Sequence, residues 1–494
     1  MKKRKLILLL TGITVVLAAL TTAAVLLADR LAGEDELRIA DTSPVIRASG
    51  QMDECFADII FRPENSTLAI TWEIEWTNRT GETVEDLVLR TWDGAFCDAA
   101  CSPAAVDQVF DCTYGKQFNA GGIRLDGAWV DGELADAGFD DNAKTLLRIR
   151  TGPVRDAETK KIRVRIGLSV PELAYRYGRA GNTWQLGNIL PVPGIWENGA
   201  WRTDEYWPVG SLPAGPCVNF DIRLQVPEGY AVFSSAPLEK NGTVYTGRLE
   251  CARDAAFVIA GSGHVVYDEA GGVSITCYAS SGEGAQKACE YAEKALACYA
   301  ERYGGYPYPC FTCAECALPF AGESYPGLVM ISKEKFSDDT ALEEEIALQT
   351  ARQWFGGIAG SDDAREPWQS AGLSGYARIR YKEKYEGADS ARVYANRTAG
   401  EAMKTRIASD VTPGSPVIHF GDLTDYAIVV YDRGTAFMLA CDELCGGRMD
   451  EFLRRYAEKF MFSSASRDDF AALYRMCFGE DILPLMEDYL DTLI

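Results

Sequence analysis

The chain has 494 residues, 47% hydrophobic and 11% aromatic, with a formal net charge of -23 at pH 7. That length exceeds one ordinary core and points to two domains with appendages, while the apolar content excludes a mostly disordered protein. The acidity excludes nucleic acid as a partner, because phosphate binding needs clustered Lys and Arg; its plain reading is a solvated surface.

The N-terminus opens with MKKRK (1–5), then LILLLTGITVVLAALTTAAVLL (6–27), 22 residues without a charge. At about 1.5 Å per residue the run spans roughly 33 Å, enough for the hydrocarbon core of a bilayer. By the positive-inside rule the basic tail stays cytoplasmic, which predicts a single-pass signal anchor in the cell membrane with a large extracytoplasmic part. A cleaved signal peptide is the competing reading, since Thr22, Ala23 and Ala24 offer small residues for cleavage. The length of the run favours the anchor. Residues 28–50 are polar and mixed, and read as a linker.

From 51 to 265 the hydrophobic pattern has a period of two. Leu68, Ile70, Trp72, Ile74 and Trp76 alternate with mostly polar neighbours, as do Ile162, Val164, Ile166, Leu168 and Val170, and again Phe220, Ile222, Leu224 and Val226. Such alternation predicts half-buried strands, and the turn formers at 227–229 and at Asn241 and Gly242 punctuate them. This part is a β domain.

Over 266–494 the period becomes helical. GAQKACEYAEKALACYAERYGG (284–305) predicts an amphipathic helix ending at glycine. Thr340 and Glu343 form a capping-box pattern ahead of a helix through 354, and three more helical stretches follow at 450–460, 467–478 and 483–493.

The 15 cysteines all follow the apolar run, and an odd number leaves at least one free or bonded to a partner. Cys310, Cys313 and Cys316 form a C-x-x-C-x-x-C run, but the surrounding YPYPCFTCAECALPF reads as an extended segment rather than a metal cluster. The close pairs Cys97/Cys101 and Cys441/Cys445 are candidates for disulfides, with connectivity open. Neither of the two histidines, His264 and His419, belongs to a helical i, i+4 pair, and both read as surface or interdomain residues.

One constellation carries chemistry. RQWFGG (352–357) is followed by WQSAG (368–372), with 18 residues between Arg352 and Ala371. Upstream stand YPYP (306–309) and AGESYPGLVMIS (321–332); downstream stands VVYDRGTAFMLACDELCGG (429–447). DEYWPVGSLP, VNFDIRLQVPEGYAV and ARDAAFVIAG punctuate the β domain.

In order and spacing these segments resemble the aminopeptidase N-type gluzincins, the membrane alanyl aminopeptidases. Their zinc helix reads HExxHxWFG, their third ligand lies in W-x-x-E-G, and the same 18 residues separate it from the second histidine. The resemblance runs from about 186 to the C-terminus, and more weakly from 51. It implies an α+β protein: a transmembrane helix, a β-sandwich or saddle-like domain over 51–265, and a mainly helical thermolysin-like (gluzincin) domain over 266–494.

The resemblance also implies where the machinery would stand. Zinc hydrolysis needs three protein ligands with an open position for water, and a carboxylate to take the water's proton. The ligand positions hold Leu348, Arg352 and Ala371, the general-base position holds Gln349, and the glutamate that anchors a substrate amine aligns with Ser324, beside Glu323. Only Tyr431 keeps its family residue, the oxyanion-stabilising tyrosine. Glu323, Tyr325 and Gly327 are the candidates for a peptide cleft. Leu348 fills volume, and Arg352 restores a permanent positive charge, compensated by Glu345 on the same helix face; a solvent-facing Arg352 is the open alternative.

The expectation is therefore a membrane-anchored, extracytoplasmic pseudo-peptidase without zinc or other cofactor, whose cleft takes peptides or an envelope protein. An active zinc aminopeptidase and an envelope scaffold are the competing readings.

Overall fold

The alternating run Leu68–Trp76 lies within strand Thr67–Thr77, with Leu68, Ile70, Trp72, Ile74 and Trp76 all on its buried face. The structure is a computed structural model and describes residues 38–101, 107–212 and 215–493. Thr67–Thr77 sits inside an eight-stranded sheet, between Asp53–Arg62 and Thr159–Ser169, both antiparallel to it. Asp53–Arg62 pairs in parallel with Val218–Gln225, with Cys55 opposite Phe220. The β-rich part also holds two four-stranded sheets, one built on Thr183–Leu186 and Phe257–Ala260, the other on Val84–Arg90 and Leu146–Val154, and a two-stranded one, Trp196–Glu197 with Ala200–Trp201.

A five-stranded sheet follows, ordered His264–Ala270, Val273–Ala279, Cys310–Cys316, Leu328–Ser332 and Gly322–Tyr325. Its last strand is an edge, antiparallel to Leu328–Ser332 with Ser324 opposite Val329. Helix Gly282–Tyr303 packs on this sheet; the Ser281 side chain caps it by accepting from Gly284 N at 3.0 Å. Helices Asp339–Trp354, Trp368–Glu386 and Gly434–Leu444 follow, then Met449–Lys459 and Arg467–Phe478. The last predicted helix is short, Leu483–Met486, and continues as a π-turn over Glu487–Asp491.

Residues 39–494 form one compact unit. The linker predicted over 28–50 is folded from Ile39 onward. Ile39 and Val45 are buried, Ile39 N donates to Gly271 O, and Tyr306 N donates back to Ile39 O. Polar side chains at neighbouring positions hide this anchoring, which runs through backbone groups. The predicted tail 1–5 and membrane span 6–27 lie outside the described residues; among the described residues no helix is long and apolar enough to cross a membrane.

His264 and His419 are both exposed. Cys310, Cys313 and Cys316 lie on one strand, where the period of two turns Cys313 to the face opposite the other two. Among the described residues no three His, Cys, Asp or Glu side chains form a group that could hold a metal ion.

Candidate functional site

Helix Asp339–Trp354 is the spine of the site. Its cap is Asp338, whose side chain accepts from Ala341 N at 2.8 Å. Thr340 and Glu343 therefore do not form the expected capping box: both lie inside the helix, and Glu343 accepts from the Tyr381 hydroxyl at 2.7 Å. From Glu345 to Trp354 every residue is buried, including five that are polar or charged, Glu345, Gln349, Thr350, Arg352 and Gln353; of these, Glu345, Gln349 and Arg352 line the cleft. Buried polar groups need partners, and those partners define the site.

Arg352 is only 6% exposed, which removes the solvent-facing reading. Its Nη1 donates to the Tyr431 hydroxyl at 3.0 Å, and its Nη2 donates to Ser211 Oγ at 2.8 Å. Asp363 Oδ2 completes an ion pair at 3.6 Å. Burial opposes the charge, but Tyr431, Asp363 and Glu323 outweigh it and hold the guanidinium pKa above its ordinary value. The compensating anion is thus Asp363 rather than Glu345. Glu345 is engaged elsewhere, its Oε1 accepting from Gln349 Nε2 at 2.8 Å. Spacing on one helix face permitted either arrangement; the loop after the helix supplied the closer carboxylate.

Gln349 is 2% exposed and its Oε1 has no protein hydrogen-bond partner among the described residues. The edge strand presses on it: a Cβ at Gly322 would stand 2.9 Å from Gln349 Cγ. Ser324 faces this helix, donating to Gln349 O at 3.1 Å and accepting from Gln353 Nε2 at 2.7 Å. Glu323 faces the other way and pairs with Arg176 at 3.2 Å. Tyr325 donates to Asn188 Oδ1 at 3.0 Å. Gly327 makes the turn after the edge strand at φ 74, where a Cβ would meet Ser235 O at 2.3 Å. It positions the strand and lines neither cavity described below.

Ala371 is carried by helix Trp368–Glu386 and lies in an apolar cluster with Val417, Phe420, Tyr426, Val429 and Val430, against which Tyr431 packs. Glycines set that helix close to its neighbour, since a Cβ at Gly372 would come within 2.8 Å of the Gly434 backbone. Tyr431 sits in the π-turn Ala427–Arg433 that leads into that neighbour. Burial raises its pKa, with Arg352 acting in the opposite direction.

Two adjoining cavities result. One, of about 440 Å³, is lined by Leu348, Gln349, Glu345, Arg378, Asp432 and Tyr431. The other is lined by Arg352, Asp363, Arg253 and Asp254. Arg176, Ser211 and Glu323 line both and stand on the wall between them. Among the residues that bond across the cleft to Glu323 and Arg352, Arg176, Ser211 and Asp363 escaped the sequence reading. Two come from the β-rich part, far away in sequence, and Asp363 stands in an acidic loop without a motif.

The structure thus brings Leu348, Gln349 and Tyr431 to one cavity and joins Arg352 to Tyr431, while Ala371 is walled in by hydrocarbon. A zinc ion requires nitrogen, oxygen or sulfur donors. Leu348 and Ala371 have none, and Arg352 is a permanent cation. The residues present do not fit zinc.

The sheets, the antiparallel edge strand and the helix pair behind it define a metallopeptidase fold of the gluzincin type. The chain superposes on an M1 zinc metallopeptidase from Deinococcus radiodurans with a TM-score of 0.60 at 15% identity, over 89% of this chain and 92% of that one. On yeast LTA4 hydrolase in complex with bestatin the TM-score is 0.64 at 13% identity, over 90% of this chain and 68% of that one. Among curated proteins it is similar to mouse (Mus musculus) aminopeptidase RNPEPL1, 28% identical over 174 residues, or 33% of this chain and 24% of the relative. It is also similar to mouse aminopeptidase B, 24% identical over 336 residues, 63% of this chain and 50% of the relative. The chain is related to the aminopeptidase gluzincins. It matches between 24% and 50% of the length of these curated relatives. No protein-family model matches it.

Proposed function

We propose that this chain is a peptide-binding relative of the aminopeptidases that has lost zinc-dependent hydrolysis, carried on the membrane by the run 6–27 with its folded unit extracytoplasmic. One observation carries the loss of hydrolysis. The second ligand position holds a buried guanidinium that bonds the tyrosine across the cleft, Tyr431, at 3.0 Å. A cation there repels a metal ion rather than ligating it. Gln349 cannot take a proton from water, because an amide has no basic lone pair at neutral pH. The retained cavity and the relatives' names point to peptides as the ligand class.

The test is elemental analysis of full-length protein prepared with excess zinc, together with an assay of aminoacyl-naphthylamide hydrolysis. The expected result is no stoichiometric zinc and no turnover. One tightly held zinc per chain with turnover would establish the active aminopeptidase instead. For the anchor, the chain should stay in the membrane pellet through high-salt washing. Recovery of a mature chain starting near Ala24 would replace the anchor with a cleaved signal peptide.

A further inference from the structure

Three groups in the 440 Å³ cavity have hydrogen-bonding capacity that the protein does not use. The Tyr431 and Ser211 hydroxyls both accept from the Arg352 guanidinium, at 3.0 and 2.8 Å. Because the guanidinium only donates, each hydroxyl keeps its own proton. Neither proton has an acceptor among the described residues. Two O–H donors thus flank a buried cation on one wall. The third group is Gln349 Oε1, an acceptor 2% exposed without a protein partner. Its assignment as oxygen is fixed by the neighbouring Glu345, which accepts from the same amide's Nε2 at 2.8 Å.

We propose that the cleft reads the C-terminal carboxylate of a peptide. The carboxylate oxygens accept from the Tyr431 and Ser211 hydroxyls in front of Arg352, and the last amide N–H of the peptide donates to Gln349 Oε1. The inference rests on the peptide-binding reading above and names the end of the peptide that is held. Donors backed by a fixed positive charge favour an ionised acceptor over a neutral one. Two carboxylates that act on the Tyr431 hydroxyl, Glu323 and Glu345, are each held by a donor, Arg176 at 3.2 Å and Gln349 Nε2 at 2.8 Å, so the direction is set by the two unused O–H donors and by Gln349 Oε1. Leu348, Phe320 and Leu423 leave an apolar lining for the terminal side chain. A cavity of about 440 Å³ is large enough for one or two residues. A peptide held this way enters in the direction opposite to one held by its amino end.

The test is calorimetric titration of the full-length chain in detergent with three probes: N-acetyl-leucyl-leucine, its C-terminal amide, and leucyl-leucine with a free amine. The expected result is that the acetylated acid binds about tenfold tighter than its amide, and at least as tightly as the free-amine peptide. Tyr431→Phe and Ser211→Ala should each weaken the acid by about tenfold and leave the amide unchanged. The two variants alter different elements, and circular dichroism checks the fold of each. Equal binding of acid and amide overturns the carboxylate reading while peptide binding stands. A requirement for the free amine overturns it in favour of the opposite direction. Failure of all three probes to bind overturns this inference and the peptide-binding reading together.

Discussion

Arg352 donates to the hydroxyl of Tyr431 across 3.0 Å, so a guanidinium on helix Asp339–Trp354 reaches a tyrosine of the π-turn Ala427–Arg433 directly. A catalytic metal supplies charge, Lewis acidity and a site that lowers the pKa of bound water. A guanidinium supplies a permanent single charge and planar N–H donors, with no site for water to coordinate. Ser211 and Asp363 fix the other end of the guanidinium.

The Arg352–Asp363 pair is buried on both sides, with side-chain exposures of 7% and 8%. Removing one partner leaves the other as an uncompensated buried charge, which costs about 3–5 kcal/mol. Arg352→Met should therefore destabilise the chain by that order in urea unfolding. Arg352→Met with Asp363→Asn should recover more than half, because the orphaned carboxylate is gone. A loss below about 1 kcal/mol in the single variant would mean the pair behaves as a screened surface pair.

A second buried pair predicts a pH dependence. Burial pushes the Asp93 carboxyl up to about 8, with Asp254 adding to the rise, and burial pushes Asp254 up to about 7. Both values lie above those of the unfolded chain, so the folded state holds the extra protons. The stability they contribute is full below about pH 4 and is lost as pH rises through about 7 and 8. Asp93 Oδ2 has no protein partner among the described residues, so Asp93→Asn disturbs no hydrogen bond there. This variant should unfold less readily than the parent at pH 9 and show a shallower decline between pH 5 and 9. An unchanged slope would show that Asp93 ionises freely in the fold.

Much of this molecule was legible before its structure, and what was not has identifiable causes. Strands such as Thr67–Thr77 announced themselves because one buried face and one polar face impose strict alternation. Leu348, Gln349 and Tyr431 were placed by motif spacing, and they do line one cavity. The partners of Arg352 were not legible. Glu345 satisfied the helix geometry as well as any residue, and only the folded loop brings Asp363 nearer. Ser211 and Arg176 reach the cleft from the β-rich part, where hydrophobic period records burial and says nothing of polar contacts across domains. The role of Gly327 in a turn became visible only through its positive φ and the nearness of Ser235.

Gly322 sets the closeness of the edge strand to the helix. A Cβ there would stand 2.9 Å from both Gln349 Cγ and Glu345 Oε1, and 3.0 Å from Met330 O. Gly322→Ala should destabilise the chain by about 1–3 kcal/mol, the range for overpacking a tight site. Adding Gln349→Ala should relieve part of the loss by removing one of the clashing atoms. If the two effects simply add, the strand yields elsewhere and the contact is not the source of the strain.

Leu348→His, Gln349→Glu, Arg352→His and Ala371→Glu together supply three ligands and a base. Their success depends on neighbours seen only in the structure. The carboxylate introduced at position 371 enters a cluster of Val417, Phe420, Tyr426, Val429 and Val430, where only a metal ion would compensate it. Binding should then be coupled to folding, so that zinc raises the melting temperature of the quadruple variant and leaves the parent unmoved. Hydrolysis faces a second obstacle. Gln349 Nε2 donates to Glu345 Oε1 at 2.8 Å, and a carboxylate at position 349 would instead share that space with Glu345. Two carboxylates so close hold a proton between them, which leaves neither free to take one from water. Turnover of aminoacyl substrates should therefore appear only when Glu345→Val is added, and it should stay weak because Ser324 is bonded to the helix and cannot hold an ammonium group. Differential scanning fluorimetry with and without zinc decides the first step. Without a zinc-dependent shift in a folded quadruple variant, positions 348, 352 and 371 do not converge on one point, and the correspondence with the zinc motif fails.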